Sequence, residues 1–540
     1  MRRSKATRFF PCILILLLTL SGQAAERPVL WLYYSTNLQV NANVERLQQV
    51  WTRAAAAGYS HVLLADSKFA RLDDLGAMRQ RYFANVSRVR QIAAKLNLQI
   101  VPALFNVGYS NDLLYHDPNL AEGLPVRNAL FVVHNGQADI VADPPVQLQQ
   151  PAWKDDSFTI NNGVATANGH PGNSRLEWEL PVAPFRCYHV SLMIRSDHCS
   201  SRPELKVIAD GRELQYQSLP FHSTQDWRRC DVVFNSLNHK KVNIYFGIWD
   251  GFTGLLACKG WRIEEVGLTN VLRRPGAPCV VRADEGGITY VEGRDYRRIV
   301  DPKLGNDPWP GEYEAWHESP SIITSLPEGT RLRVSWFHPA IIYDEQVCMC
   351  LCEPETQQIL SDQAQLVKRT WQSSGFMMSH DEIRVMNWDD SCQAKMQTPG
   401  QILAGNVRFC TSLLAGSTVY VWSDMFDPFH NAHDNYYLVN GDLSGSWNGL
   451  SKDTVIVNWN FQNRDKSLKF FADRGHRQII AGYYDGDVSQ IKFWMDSANR
   501  VNGVIGVMYT TWQGNYSNLE AFARIVLHGQ EIRSDRTVDQ

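Results

Sequence analysis

The stretch VKRTWQSSGFMMSHDE, residues 367–382, contains the pattern that decides the fold of this chain. A helix-like segment breaks at Gly375, a short apolar strand follows, and the strand ends in polar residues. Glycine and asparagine suit the left-handed position that closes a helix, so each such break marks a helix end. The same succession recurs along the chain, with breaks at Gly58, Asn97, Gly475 and Gly503.

Eight strands are counted from this pattern. Short apolar strands that alternate with helices indicate a parallel sheet covered on both faces. Eight such units predict an α/β fold of the (β/α)8, or TIM-barrel, type. A doubly wound open sheet is the alternative, although no glycine-rich dinucleotide fingerprint follows the first strand. The predicted strands are 29–34, 61–65, 99–105, 376–380, 418–424, 454–460, 478–484 and 504–512.

The interval between the third and fourth strands is too long for a loop. From residue 126 the chain becomes rich in Val, Ile, Tyr and Trp, and turn residues separate the apolar runs at regular intervals. This pattern predicts an all-β, jelly-roll-like sandwich that interrupts the barrel between strands 3 and 4. The expected division is a first barrel part at 26–125, the sandwich at 126–275, a β-rich connection at 276–330 and a second barrel part at 331–540.

The N-terminus has the features of an export signal. Four basic residues precede the apolar run 9–20, and small residues follow it up to Ala25. The run is short for a transmembrane helix, so a signal peptide at 1–25 is favoured over an uncleaved anchor. No later stretch reaches about 18 consecutive apolar residues. We therefore expect a periplasmic or secreted protein that makes no membrane contact after cleavage.

Charge and cysteine content narrow the choice of partners. The formal charge is −3 and no basic block appears, which argues against a nucleic-acid partner. Cys348, Cys350 and Cys352 alternate in CMCLC, which places them on one face if this segment is a strand. A zinc site favours wider spacing with partner ligands, so buried thiols or one disulfide is the favoured interpretation. No metal or cofactor is expected.

The C-terminal ends of the strands should hold the active site, because barrel enzymes act there. Acids and aromatic residues stand at these ends, without a cluster of His and Cys. Aromatic faces stack on sugar rings and carboxylates bond hydroxyl groups, so the composition favours a carbohydrate pocket with a glycan substrate. The candidate residues are Asp66, Asn106, Asp381, Glu382, Trp422, Asp424, Trp459, Tyr483, Asp485 and Trp512.

The adjacent acids Asp381 and Glu382 allow three interpretations: a surface turn, a metal site with His380, or a catalytic pair. Consecutive strand residues point to opposite faces, so both acids reach one pocket only if the strand turns out at Asp381. Conventional glycosidases hold two carboxyl groups about 5–5.5 Å or 6.5–9.5 Å apart across the scissile bond. Neighbouring acids better suit the substrate-assisted exception, in which the 2-acetamido oxygen of the sugar is the nucleophile.

This arrangement resembles glycoside hydrolase family 20, the β-N-acetylhexosaminidases and their relatives. That family carries Asp-Glu at the end of its fourth strand, as in SHDE (379–382), and a Trp closely followed by an acid at the fifth, as in VWSDM (421–425). A Trp near the sixth strand end, Tyr-x-Asp on the seventh and a pocket Trp on the eighth also have counterparts here. The match runs from 376 to 512, whereas the front of the barrel agrees only in pattern.

The resemblance implies that Asp381 orients the acetamido group, that Glu382 is the general acid/base, and that Tyr483 bonds the acetamido oxygen. Trp422, Trp459 and Trp512 would wall the sugar subsite. The family's Arg on the first strand and its His-x-Gly-Gly before the acids are absent here. Two alternatives stay open: a retaining glycosidase for a non-acetylated sugar, with Asp424 or Asp485 as nucleophile, and a non-catalytic glycan-binding protein. The β insertion resembles the sandwiches of carbohydrate-binding modules.

Overall fold

The computed structural model describes residues 28–148 and 151–528 of the chain. The signal peptide predicted at 1–25 lies outside these residues. Eight parallel strands pair in sequence order and form a closed barrel, which confirms the predicted strand count. The barrel strands are β1 (Val29–Ser35), β2 (Tyr59–Ala65), β3 (Gln99–Leu104), β20 (Gly375–Met378), β22 (Thr418–Trp422), β24 (Val455–Asn458), β25 (Gln478–Ile480) and β26 (Val504–Tyr509), with strands numbered in chain order.

Inward-facing side chains fill the interior of the barrel. Alternate residues of each strand point inward, because the side-chain period of a strand is two. They form one apolar cluster that includes Trp31, Leu63, Val101, Met377 and Val457. Met378, the neighbour of Met377, packs outward against the surrounding helices and is also fully buried.

Helices occupy most of the intervals between barrel strands. The interval between β22 and β24, however, is described in full and contains no α-helix, only two short 3-10 turns, Asp424–Phe426 and Ser446–Gly449, and a two-residue strand, Leu438–Val439. The α-helices of the described residues are α1 (Asn41–Ala56), α2 (Arg79–Lys95), α3 (Asn111–Leu114), α4 (Pro354–Trp371), α5 (Asp390–Gln393), α6 (Pro399–Leu413), α7 (Arg464–Asp473), α8 (Ile491–Ala498) and α9 (Leu519–His528). No helix within 28–148 and 151–528 has the length and apolar character needed to cross a membrane.

Most of the predicted helix ends have the backbone that the sequence suggested. Gly58, Asn97, Gly475 and Gly503 have φ values of 97°, 54°, 79° and 91°, all in the left-handed region. Gly375 does not, because α4 closes three residues earlier with Gln372 at φ 50°. Gly375 is needed for space instead, since a Cβ there would lie 2.8 Å from the Tyr420 ring.

Two five-stranded antiparallel sheets follow β3 in the chain and precede β20. One has the order β13-β10-β15-β8-β7 and the other β12-β11-β14-β9-β6. Together they enclose apolar side chains such as Trp178, Val190 and Phe246. Their strands are β6 (Trp153–Lys154), β7 (Phe158–Asn161), β8 (Val164–His170), β9 (Ser174–Pro181), β10 (Cys187–Asp197), β11 (Glu204–Ala209), β12 (Arg212–Ser218), β13 (Gln225–Asn235), β14 (Lys241–Ile248) and β15 (Phe252–Glu265).

A six-stranded sheet of order β17-β16-β19-β4-β5-β18 combines chain from both sides of these two sheets. Its strand β19 (Arg331–Pro339) begins the stretch assigned to the second barrel part, yet it pairs with β4 (Gly123–His134) and β16 (Val280–Ala283). The local alternation of β19 suits either location, so only the pairing separates them. The remaining strands are β5 (Gln137–Ile140), β17 (Thr289–Tyr290) and β18 (Ile322–Ile323), and a separate pair joins β21 (Val385–Met386) to β23 (Leu438–Val439).

The CMCLC segment is not a strand. It forms turns and one isolated bridge between Met349 and Ala121. The thiols therefore do not share one face: Cys348 donates to the carbonyl of Gly108 at 3.1 Å, whereas Cys350 lies 3.5 Å from the sulfur of Cys392.

Candidate active site

A cavity of about 700 Å³ opens above the C-terminal ends of the barrel strands. Its lining comes from residues within or shortly after all eight barrel strands, as expected for a barrel enzyme, and from Tyr343 and Asp344 of the segment after β19. Seven of the ten candidate residues line it: Asp66, Asn106, Asp381, Glu382, Trp422, Trp459 and Trp512.

The chain turns out of the barrel at the acid pair, so both acids reach the cavity. Strand β20 ends at Met378, and Glu382 has a left-handed backbone with φ 48°. Gly108 makes room for this turn, because a Cβ on Gly108 would lie 2.1 Å from the carbonyl oxygen of Asp381. The surface-turn interpretation is therefore wrong: both carboxyl groups are on the wall of the cavity.

Glu382 is fixed by a buried cation and a phenol. Its Oε1 forms a 2.8 Å ion pair with Nη2 of Arg384, and its Oε2 accepts a hydrogen bond from the hydroxyl of Tyr109. Arg384 is 3% exposed and also donates to Oε1 of Gln346 at 2.6 Å. Gln346 in turn donates to the carbonyl of Glu382 at 2.8 Å. The Glu382 carboxylate is thus held in one orientation.

Asp381 has a different environment from its neighbour. Burial, followed by the negative charges of Asp424 and Glu382, raises the pKa of Asp381 to about 8. A carboxyl group with this pKa carries a proton at neutral pH. The two adjacent acids therefore differ: burial raises the pKa of Asp381, whereas Glu382 is paired with Arg384.

Asp424 lies beneath the cavity rather than in it. It is fully buried and accepts hydrogen bonds from the backbone N–H of Glu382 at 2.8 Å, from Nδ2 of Asn431 at 2.9 Å and from Nε1 of Trp459 at 3.2 Å. Burial raises the pKa of Asp424 to about 7. Asp424 positions an acid and an aromatic ring of the wall, and it does not reach a substrate in the cavity.

Aromatic rings form one side of the cavity. The ring of Tyr33 lies 4.9 Å from that of Trp512 and 6.3 Å from that of Trp422, and the two tryptophan rings are 6.2 Å apart. Trp512 is 55% exposed and borders the cavity, so its ring is accessible to a bound molecule. These rings offer the kind of surface on which the apolar face of a sugar stacks.

Tyr483 and Asp485 do not line the cavity. Tyr483 is 4% exposed, packs on Tyr509 and accepts a hydrogen bond from Asn518 at 2.9 Å. Its neighbour Tyr484 lines the cavity instead and donates to the carbonyl of Trp459. Asp485 accepts from the backbone N–H of Trp512 at 2.7 Å, so its role is to hold the turn that carries this tryptophan.

Asp66 and Asn106 line the cavity, but both are engaged in supporting contacts. Asp66 accepts from the N–H of Leu38 at 3.1 Å and from the hydroxyl of Tyr82 at 3.0 Å, and burial raises its pKa. Asn106 donates to the carbonyl of Tyr109 at 2.7 Å and so helps to place the phenol that bonds Glu382.

Sequence reasoning missed Arg384 and Tyr343. Arg384 stands two residues after Glu382 in DEIR, and this proximity was the available signal. Tyr343 lines the cavity and its ring lies 4.3 Å from the Arg384 guanidinium, but it comes from the distant segment after β19. His380 supports the site from behind: it is fully buried, bonds Asn406 at 2.9 Å, and burial lowers its pKa to about 4.

The rim of the cavity touches β12 and the loop before β11, both of which belong to one of the two five-stranded sheets. Asp344, which lines the cavity, forms a 3.0 Å ion pair with Arg202, and the N–H of Tyr343 donates to the carbonyl of Tyr216 at 2.7 Å. Arg212 donates to the carbonyl of Val439 at 2.5 Å and to that of Tyr437. The rim is therefore built partly by residues of this sheet.

Comparison with known proteins identifies no family. No family model matches the chain, and no curated protein does. Among solved structures, a rhamnosidase from a Novosphingobium species is 12% identical, covers 93% of this chain and 58% of its own, and gives a TM-score of 0.32. A GH20 exo-β-N-acetylglucosaminidase from Vibrio harveyi is 9% identical, with 67% and 93% covered and a TM-score of 0.28. A CBM4 structure is 13% identical, with 20% and 76% covered and a TM-score of 0.19.

Proposed function

We propose that this chain is an exported glycoside hydrolase that cleaves glycosidic bonds of N-acetylhexosamine-type or related sugars. The enzyme would be a (β/α)8 barrel with a carbohydrate-binding-module-like, jelly-roll insertion between strands 3 and 4. One observation carries the proposal: a large, aromatic-walled cavity presents two adjacent acids, of which one holds a proton at neutral pH. Glycoside hydrolysis needs such a proton donor beside a second carboxylate.

The proposed catalytic roles of Asp381 and Glu382 follow from the different surroundings of their carboxyl groups. Asp381, with a pKa of about 8, protonates the leaving oxygen, because a general acid must carry its proton at the working pH. Glu382, held by Arg384 and Tyr109, presents its carboxylate to the positive charge that develops on the sugar. These roles are the reverse of those that the family 20 resemblance implies.

Leaving-group dependence tests these roles. In Asp381→Asn, we expect hydrolysis of an unactivated phenyl glycoside to fall by about 100-fold or more, since general acid catalysis typically contributes about 10²–10⁴-fold. A dinitrophenyl glycoside needs little protonation and should be cleaved at a rate close to that of the unaltered enzyme. Glu382→Gln should be slow on both substrates.

Two results would contradict these roles. The opposite pattern, with Glu382→Gln recovering on the activated glycoside, would restore the roles implied by the resemblance. Binding of glycans without turnover of any glycoside would show a non-catalytic protein. Glu355→Gln, at the exposed start of α4, is the matched control and should keep full activity and an unchanged Tm.

A second candidate is a conventional retaining glycosidase for a non-acetylated sugar. It is favoured by the burial of Tyr483, which leaves the expected acetamido partner outside the cavity, and by the proton on Asp381. Asp424 and Asp485 do not line the cavity, so Glu382 would be the nucleophile. Paired aryl glycosides with and without the acetamido group decide between the candidates. A thiazoline mimic of the cyclised intermediate should inhibit only the substrate-assisted enzyme.

A further inference from the structure

A second cluster of reactive side chains lies apart from the barrel cavity. Glu122, Cys350, Asp389 and Cys392 each direct one donor atom to a common point, and these four atoms all lie within 4.8 Å of one another. All four residues are fully or almost fully buried, and none lines the cavity. Nothing in the proposed hydrolytic chemistry uses them.

The spacing of the donors matches a tetrahedral metal site. Zinc binds thiolates at about 2.3 Å and carboxylate oxygens at about 2.0–2.2 Å, so tetrahedral edges are about 3.8 Å between two sulfurs and about 3.5 Å between sulfur and oxygen. The sulfurs of Cys350 and Cys392 are 3.5 Å apart. Sulfur to oxygen is 3.5 Å both from Cys350 to Oδ1 of Asp389 and from Cys392 to Oε2 of Glu122. We propose that these four residues bind a zinc ion.

Each carboxylate keeps its second oxygen for an outer partner, as metal-binding carboxylates commonly do. Oδ2 of Asp389 accepts from Arg274 at 2.6 Å, and Oε1 of Glu122 accepts from the N–H of Trp388 at 2.7 Å. These contacts fix the rotation of both carboxyl groups and turn Oδ1 and Oε2 toward the sulfurs, and Oδ1 of Asp389 also accepts from the N–H of Cys392 at 3.0 Å. The site is therefore preorganised for an ion.

Glu122 has no ion-pair partner of its own among the described residues. Glu122 is 1% exposed, and its hydrogen-bond partners in the described chain are two backbone N–H groups and the Cys392 thiol. The nearby guanidinium of Arg274 is already paired with Asp389 and Glu353. A buried carboxylate without its own counter-charge is costly, and a dication between the four donors removes that cost.

A disulfide between Cys350 and Cys392 fits the site less well. It would draw the sulfurs together to about 2.05 Å and remove both thiol hydrogens. Oδ1 of Asp389 and Oε2 of Glu122 would then lose the thiols that face them in a site closed to water. Asp389 would keep Arg274 and its cap on the N–H of Cys392, but Glu122 would have no charged partner, whereas a zinc ion uses all four donors.

The ion would be structural, because the site is buried and its four donors complete a tetrahedron without an open position. It would join three segments that are distant in sequence: the residue before β4, the segment before α4, and the start of α5. Two of these segments also carry active-site residues, since Gln346 precedes Cys350 and Glu382 precedes Asp389. The site is nevertheless independent of the hydrolytic proposal.

Metal analysis of the full chain tests the inference. Purified without chelator and kept reduced, the chain should contain about one zinc per molecule and lose it in Cys392→Ser. Cys410→Ser is the matched control, because Cys410 is equally buried in α6 but lies outside the cluster. After zinc is removed, added Co²⁺ should give the thiolate charge-transfer absorption of a sulfur-bound ion, and Cys410→Ser should give the same spectrum.

A milder variant covers the case in which Cys392→Ser does not fold. Glu122→Gln keeps the shape of the side chain, and we expect it to weaken zinc binding at least tenfold in a competition titration with a chelator. The inference is overturned if the folded, reduced chain neither contains nor takes up zinc. The thiol of Cys352 lies beside those of Cys350 and Cys392, so the inference is equally overturned if the folded chain carries a disulfide between any two of these three cysteines and binds no metal after reduction. Loss of the ion in Cys410→Ser, as in Cys392→Ser, would also overturn it.

Discussion

Three carboxyl groups lie close together at the candidate active site, beside a single guanidinium. Asp381, Glu382 and Asp424 lie close enough to repel one another, and Arg384 pairs directly only with Glu382. Because the three negative charges are not all compensated, protons stay on part of the group at neutral pH. Arg384 compensates Glu382, and burial together with the neighbouring negative charges raises the pKa of Asp381 to about 8 and that of Asp424 to about 7.

The raised pKa of Asp381 predicts a pH-dependent stability. The pKa is about 8 in the folded protein and near its ordinary value of 3.8 in the unfolded chain, so between these values the folded chain holds a proton that the unfolded chain releases. This group therefore destabilises the fold progressively as pH rises from about 4 to about 8. Asp381→Asn removes the effect, so the Tm difference, variant minus unaltered protein, should grow over this range and level off above it. A difference that stays constant with pH would contradict the assignment.

The sequence showed which strand end each candidate residue follows, but not whether its side chain lines the cavity. Asp424 and Tyr483 follow barrel strands as predicted, yet one lies beneath the wall and the other packs behind it. Position in sequence tells which strand end a residue follows. It does not tell toward which side a residue just past the strand turns, because the loop backbone decides that.

Gly108 shows how one element constrains another. The loop after β3 passes so close to the acid pair that a methyl group on Gly108 would overlap the carbonyl oxygen of Asp381. Gly108→Ala should displace this backbone, lower stability by about 1–3 kcal/mol as overpacking does, and abolish most activity. Thermal unfolding and kcat/KM measure both effects.

Gly405→Ala is the matched control for Gly108→Ala. Gly405 lies inside α6, and an added Cβ there meets no atom within 4 Å. Alanine is the better helix former by about 1 kcal/mol, so this variant should be slightly more stable and fully active. Equal behaviour of the two alanine variants would refute the role given to Gly108.

Barrel strands were predictable as elements because each is a short apolar run between turn residues. Their ends were not: the seventh was predicted to run from 478 to 484, but β25 stops at Ile480, where the chain turns toward the cavity. The prediction of a strand at CMCLC was wrong for a related reason. Its alternation of cysteine with apolar residues suits a strand, but the residues it contacts, Glu122 and Cys392, are remote in sequence.

At the scale of the whole molecule, the inserted sheets support the active-site rim. Arg212, from β12, donates to the carbonyls of Tyr437 and Val439, and Val439 belongs to β23, which pairs with β21 just after Arg384. Arg212→Ala should therefore loosen the segment that holds Arg384, lowering Tm by a few degrees and reducing kcat/KM several-fold. Arg195→Ala, at an exposed position of β10, is the control and should change neither. If Arg212→Ala leaves kcat/KM unchanged, the hydrogen bonds of Arg212 contribute to stability alone.

The presence of an inserted β region followed from the length and residue content of the interval between the third and fourth barrel strands. Its contacts with the barrel did not, because they run through single side chains such as Arg202 and Arg212 whose partners are more than 100 residues away. Nothing in local sequence marks these arginines among the many on the surface.

The insertion also sets the order in which the chain can fold. Strand β3 ends at Leu104 and β20 begins at Gly375, so at about 5–20 residues per second roughly 270 residues, or about 14–54 s of synthesis, separate the third barrel strand from its next partner. The strands of the two five-stranded sheets pair only among themselves and need not wait. A nascent half-barrel meanwhile has two unpaired edges, which are the parts of a sheet most prone to aggregation. The late synthesis of β20 is therefore expected to limit the yield of folded protein.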